Sequence, residues 1–217
     1  MLIPYPQLVQ KFNLNVTGIL HIGAHDCEEL PAYNSCGVPT ENTYWVEAMN
    51  IKIKQNKQRI GDKLNIYQCV VYDENEKEVN FNITNNGQSS SILPFGSHEY
   101  NHPDVKVVYQ ETLKTTRLDK LIEDNQIPIE KLNFVNLDIQ GVELRALKSM
   151  EKYLQYVNYI YTEVNTEQVY KGCDEIGQID EYLKQFDFER VETRVYQHLG
   201  WGDAFYIKSH ATAHKTI

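Results

Sequence analysis

Thr17-Gly18-Ile19-Leu20-His21-Ile22-Gly23-Ala24-His25-Asp26-Cys27-Glu28-Glu29 decides how the chain is read. Gly18 to Ile22 is a short apolar run suited to a buried strand, and it stops at Gly23-Ala24. A glycine at the carboxyl end of a first strand lets the backbone turn sharply and admits a ligand where any Cβ would collide. Asp26, Glu28 and Glu29 then fall in the expected first turn of a helix, where negative charge complements the macrodipole. That acidity argues against a phosphate, which wants bare N–H groups at a helix N-terminus, and suits a cationic ligand. Nucleotide-binding α/β units place an acid about twenty residues beyond such a turn, at the end of the second strand, to accept ribose hydroxyls. Thr43-Tyr44-Trp45-Val46-Glu47 fits that position. The two signals together indicate an adenosine site; the alternative is a plain βαβ unit whose Glu47 is a solvated strand-end charge.

A chain of 217 residues suits one α/β domain with a small appendage. The expected division is an approach segment over residues 1–16, a main domain over 17–208 and a disordered tail over 209–217. The formal charge of −9 and the lack of a basic run argue against a nucleic-acid partner. No apolar stretch approaches a membrane span and the N-terminus lacks the pattern of a signal peptide, so the expected location is cytoplasmic with no membrane partner. Cys27, Cys36, Cys69 and Cys173 form no Cys-x-x-Cys pair, which argues against a zinc site or a disulfide framework.

Further along, Leu64 to Asp73 reads as a third strand whose terminal Asp73 would lie near an adenine. Glu78 to Thr84 alternates polar and apolar residues, the pattern of a half-exposed strand. The polar run Asn85 to Leu93 offers Ser90 or Ser91 to the amino-acid end of a ligand, or is simply a connection. His98, Glu99, Tyr100 and His102 crowd a loop that reads equally as an acceptor wall or as surface. Leu132 to Asp138 is a buried strand closed by an acid and a Gly141 turn, and Tyr156 to Asn165 repeats the arrangement with Glu163. Acids there sit at the sheet edge where open α/β folds bind ligands. Each also has a structural alternative, Asp138 as a turn acid especially. Phe188 to Tyr196 and Gly202 to Lys208 complete the chain as an antiparallel hairpin.

The succession His21-Ile22-Gly23-Ala24-His25-Asp26, Trp45-Val46-Glu47-Ala48, Gly87-Gln88-Ser89-Ser90-Ser91, Asn136-Leu137-Asp138-Ile139-Gln140-Gly141-Val142-Glu143-Leu144 and Gly202-Asp203-Ala204-Phe205 resembles the FkbM-type methyltransferases. The resemblance implies an S-adenosylmethionine-dependent, largely O-directed enzyme. Its implied fold is α/β and Rossmann-like, of the class I methyltransferase type: a seven-stranded mixed sheet with helices on both faces and a C-terminal antiparallel hairpin. It places Gly23 and Ala24 along the cofactor, with His21, His25 and Ala48 in the same motifs, Glu47 on the ribose and Asp138 beside the sulfonium and acceptor. His21, Cys27, Asn136 and Gln140 depart from the family's common residues.

Methyl transfer from a sulfonium is an in-line displacement, so holding nucleophile and methyl in line is the main task. A hydroxyl acceptor must also lose its proton, for which Asp138 or Glu163 is the expected base and His98 or His102 a weaker choice. Asp138 and Glu163 are compatible with a divalent metal, but none is predicted. The expected acceptor is a small molecule or carbohydrate, with Tyr100, Tyr109 and Trp201 available for stacking. Two rivals stand. A nicotinamide-dependent oxidoreductase would use Glu47 similarly but lacks the Gly-x-Gly-x-x-Gly turn. A catalytically silent binding module would account for the departures.

Overall fold

A computed structural model of the chain describes residues 1–209. In order, the elements are α1 (Tyr5–Phe12), β1 (Ile19–Ile22), α2 (Leu30–Ser35), β2 (Thr43–Glu47), α3 (Asn50–Ile60), β3 (Asn65–Gln68), β4 (Val70–Val71) and β5 (Glu78–Thr84). There follow α4 (His98–Asn101), β6 (Val107–Thr116), α5 (Leu118–Asp124), β7 (Phe134–Leu137), α6 (Glu143–Ser149), β8 (Tyr159–Asn165), α7 (Ile176–Lys184), β9 (Phe188–Tyr196) and β10 (Trp201–Lys208). Seven strands form one sheet in the order β3-β2-β1-β7-β8-β10-β9. It is parallel except where β10 runs against β8 and β9, the antiparallel hairpin expected at the C-terminus.

The central strands β1, β7 and β8 are buried along their whole length, as parallel strands covered on both faces must be. Side chains alternate between the two layers. Leu20, Ile22, Val135, Leu137 and Ile160 join the core under α5, α6 and α7. Ile19, Trp45, Phe134 and Tyr161 join the core under α1, α2 and α3. The first residues are part of that second layer rather than an appendage, since Ile3, Tyr5 and Leu8 are fully buried. Among the described residues no helix is long and apolar enough to cross a membrane. The expected disordered tail falls almost wholly outside the described residues.

Two local expectations are corrected. The acids after Gly23 do not open a helix: His25 and Cys27 take left-handed φ of 40° and 50°, so α2 begins only at Leu30, with Glu29 as its N-cap. The third strand also breaks. β3 ends at Gln68, and Val70–Val71 turns away to pair with Thr115–Thr116 of β6 in a second sheet of order β4-β6-β5.

Candidate active site

The sheet order reverses direction of travel between β1 and β7, and the crevice at their carboxyl ends is where such folds bind ligands. Gly23 follows β1 with φ 94°, and a Cβ there would lie 1.8 Å from the carbonyl oxygen of Asp138. Only glycine lets the two strand tips meet. The Asp138 N–H in turn donates to the Ile22 carbonyl at 2.9 Å.

Two adjoining cavities open at this point. A narrow slot of about 70 Å³ is bounded by Glu47 and Ala48 on one side and by Val70, Phe81 and Ile92 on another. A larger cavity of about 480 Å³ is bounded by Asp138, Glu163, Tyr170, Trp201 and Asp203. Gly23, His25, Gln88, Asp138 and Gln140 line both. The structure therefore brings residues 23, 47 and 138 together around one slot.

Glu47 is held by the backbone: Oε2 accepts the His25 N–H at 2.7 Å and Oε1 the Met49 N–H at 2.8 Å. Burial nevertheless pushes its carboxyl above the usual range, against those bonds. Each oxygen keeps a lone pair free for a further donor. Across the slot, Ser90 Oγ accepts the Thr84 N–H at 3.1 Å, so Ser90 also shapes the loop it stands on.

On the other side of Gly23, Gln140 Nε2 lies 2.6 Å from both Asp138 Oδ1 and Glu163 Oε2, while its Oε1 accepts the Tyr170 hydroxyl. Gln140 has φ 59° and Gly141 φ 105°, a turn fixed by Glu143, whose carboxylate takes the N–H groups of Ile139 and Gly141 at 3.0 to 3.1 Å. Burial pushes Glu143 up to about 7. Burial, and then the Asp138 and Glu143 carboxylates, raise Glu163 well above the ordinary range.

The remaining assignments divide. His21 lines the larger cavity rather than the slot; it stacks on Trp45 at 4.5 Å, and burial lowers its imidazole below the usual value. His25 lines both cavities and contacts Glu28 at 2.7 Å. Ala24 lines neither cavity: it is 1% exposed and belongs to the core under α1 and α2. Asp73 is not there either. The break after Gln68 carries it to Arg145, 3.6 Å away, and the apolar Val70 and Phe81 occupy the wall it was expected to form. His98, His102 and Trp201 line the larger cavity, whereas Tyr100 and Tyr109 are exposed. Tyr170, Asp203 and Glu143 were missed. The last two stood in quoted motifs, but nothing in their local pattern showed that β10 sets Asp203 directly opposite Glu163.

These walls suit S-adenosylmethionine. A buried carboxylate faces the slot where ribose hydroxyls are expected, apolar side chains flank a space for a flat base, and Asp138 offers negative charge to a sulfonium. The donor set His25, Asp26 and Glu28 also gathers within 4.8 Å. There the Lys52 ammonium already lies 2.9 Å from both Asp26 oxygens, so the group forms an ion-pair network by itself.

A sequence model of the methyltransferase FkbM domain matches residues 20–190. The chain belongs to the FkbM methyltransferase family. The hexuronic acid methyltransferase AglP of Haloferax volcanii is 41% identical over 78 residues, a match covering 36% of this FkbM chain and 30% of the relative. Among solved structures, the methyltransferase FkbM of Methylobacillus flagellatus superposes with a TM-score of 0.55 at 14% identity, over 88% of this chain and 43% of that one. Magnesium protoporphyrin IX methyltransferase of Synechocystis, solved with bound S-adenosylmethionine, gives 0.50 at 8% identity, over 94% and 76%. At such identities the structural matches establish a shared fold. The seven-stranded Rossmann-like sheet of this FkbM protein is that fold.

Proposed function

We propose that this chain transfers the methyl group of S-adenosylmethionine to a hydroxyl of a carbohydrate or other small polyol. The observation that carries the reading is the convergence of Gly23, Glu47 and Asp138 on a slot that shares its wall with a cavity large enough for an acceptor. Family membership supports the cofactor, and the name of the Haloferax relative supports a carbohydrate acceptor.

The bound cofactor supplies an electrophilic methyl group on sulfur. Glu47, preset by two backbone N–H groups, accepts the ribose hydroxyls, and Val70, Phe81 and Ile92 enclose the base. Gly23 allows the reacting centre to approach the tips of β1 and β7. Asp138 takes the acceptor's proton as its oxygen attacks, and Gln140 fixes the Asp138 carboxylate toward Glu163. Orientation of this kind supplies roughly 7–11 kcal/mol of a barrier, and a placed base a further 10²–10⁴-fold, both as orders of magnitude.

Isothermal titration with S-adenosylmethionine and with NAD, followed by transfer of labelled methyl to a saccharide panel, tests this. Binding of the sulfonium cofactor alone and label on a sugar oxygen are expected. Binding of NAD in its place would replace the reading with the oxidoreductase.

A further inference from the structure

The methionine end of S-adenosylmethionine carries an α-carboxylate, yet among the described residues no lysine or arginine lines either cavity to meet it. Of the described histidines, only His25 borders both the slot and the larger cavity. Its main chain is pinned on both sides: the N–H donates to Glu47 Oε2 and the carbonyl accepts Asn56 Nδ2, each at 2.7 Å. His25 thus stands beside the acid assigned to the ribose, where a methionine chain would leave the slot. Its Nδ1 lies 2.7 Å from Glu28 Oε1. A carboxylate only accepts, so the Nδ1 proton is fixed there, and Nε2 is the nitrogen able to gain or lose one. Nε2 is buried and has no hydrogen-bond partner. Gly87 of the slot wall faces it, and a Cβ at that position would fall 3.1 Å from Nε2. Glycine, here with φ 75°, keeps that side of the ring clear of any side chain.

From the unpartnered Nε2 at the junction of the two cavities, we propose that protonated His25 binds the α-carboxylate of S-adenosylmethionine, tying cofactor affinity to the charge of one ring. This rests on the methyltransferase reading and adds to it an anchor governed by pH. The groups packed around the ring favour its charged form. Burial lowers the imidazole, but Glu28, with Asp26 at 3.4 Å, outweighs burial and the Lys52 ammonium of α3 and raises it above 6.5. Lys52 is itself held by both Asp26 oxygens at 2.9 Å, and Arg59 donates to the Asp26 carbonyl. From β2, Glu47 adds another carboxyl group beside the ring. The other cationic groups at the larger cavity are less suited. Burial lowers His21, whose Nδ1 meets the Tyr33 hydroxyl at 3.1 Å, and lowers His98 to about 4. The Met1 ammonium already lies 3.5 Å from Glu29. A neutral His25, with its proton on Nδ1, would turn the Nε2 lone pair toward the carboxylate instead of a donor. Affinity is therefore greatest while the ring is protonated and falls as pH climbs through the raised His25 value.

Titration calorimetry at about pH 6 and about pH 9 tests the proposal, with S-adenosylhomocysteine and its decarboxylated analogue S-adenosyl-3-thiopropylamine as probes. Both carry the adenosyl group and the amine, so the ratio of their affinities isolates the carboxylate. At the lower pH S-adenosylhomocysteine is expected to bind about tenfold or more tighter than the analogue, the yield of one charged hydrogen bond, and at the higher pH the ratio should approach one. His25→Gln is expected to cut the ratio and to remove its dependence on pH. If that variant fails to fold, Glu28→Gln removes the group that raises His25 and is expected to shift the decline of the ratio to lower pH. A ratio near one at the lower pH, a ratio equal at both pH values, or an unaltered pH dependence in the folded variants overturns the proposal. Failure of both probes to bind defeats the methyltransferase reading instead.

Discussion

The side-chain nitrogen of Gln140 lies 2.6 Å from Oε2 of Glu163, and it reaches Asp138 Oδ1 at the same distance. One amide therefore holds two acids from neighbouring strand ends in a single arrangement. Its oxygen is spoken for by Tyr170, so the amide cannot turn over without losing all three contacts.

Replacing Gln140 by Glu removes the shared donor and adds a third carboxyl group. The added charge makes Asp138 harder to ionise. kcat is expected to fall roughly ten- to a hundredfold, the loss of one or two charge-assisted hydrogen bonds. The acid limb of the pH–rate profile should move to higher pH. A profile that keeps its position would separate Gln140 from the ionisation of the base.

Asp138→Asn leaves the shape of the loop and removes the proton acceptor. Turnover is expected to fall about 10²- to 10⁴-fold. Calorimetry should still find S-adenosylmethionine bound, because Glu47 and the apolar wall stand elsewhere in the slot. Equal loss of binding and turnover would make Asp138 a cofactor-holding residue only.

Glu47→Gln sets an amide nitrogen against one of two backbone N–H donors and removes the charge that ribose hydroxyls would meet. Cofactor affinity is expected to weaken by about one to two orders of magnitude, equivalent to about 1.5–3 kcal/mol. Titration of the variant with S-adenosylmethionine gives the answer directly, and undiminished affinity would remove Glu47 from the site.

Gly23→Ala would place a methyl group 1.8 Å from the Asp138 carbonyl in a backbone region that only glycine adopts freely. Separation of β1 from β7 at the tip is expected to cost about 2–4 kcal/mol and to lower Tm by roughly 4–16 °C. Thermal denaturation by circular dichroism measures it.

His25 and Glu28 make a pH-sensitive pair. Burial would raise the Glu28 carboxyl, but hydrogen bonds from His25 and the backbone win and hold it at about 2, below its ordinary 4.5. Burial would lower His25, but the bond to Glu28 wins and raises it above 6.5. The Glu28 contribution to stability is thus present above pH 4.5 and lost toward pH 2. The His25 contribution is present below pH 6.5 and lost as pH climbs through its raised value. Both groups are partly exposed, so the effect is small. In Glu28→Gln the melting temperature should vary less over both windows than in the parent protein.

Local sequence was sufficient wherever the physics is local. Four-residue apolar runs ending in Gly23 or Asp138, and β-prone residues ending in Glu47, identified parallel strands and their tips, because strands buried on both faces admit little else. Partners set by contacts across the sheet were not legible. The swing of β4 into a second sheet took Asp73 to Arg145 and put Phe81 in its place, and the pairing of β8 with β10 set Asp203 against Glu163. A strand's side-chain pattern states which residues are buried, whereas its neighbours depend on where the chain returns from. The sequence by itself thus determined an α/β sheet with three strand tips that line one slot. Only the tertiary structure decided which acids share a cavity and which of them burial pushes above their usual range, since desolvation and pairing arise from groups far apart in the chain.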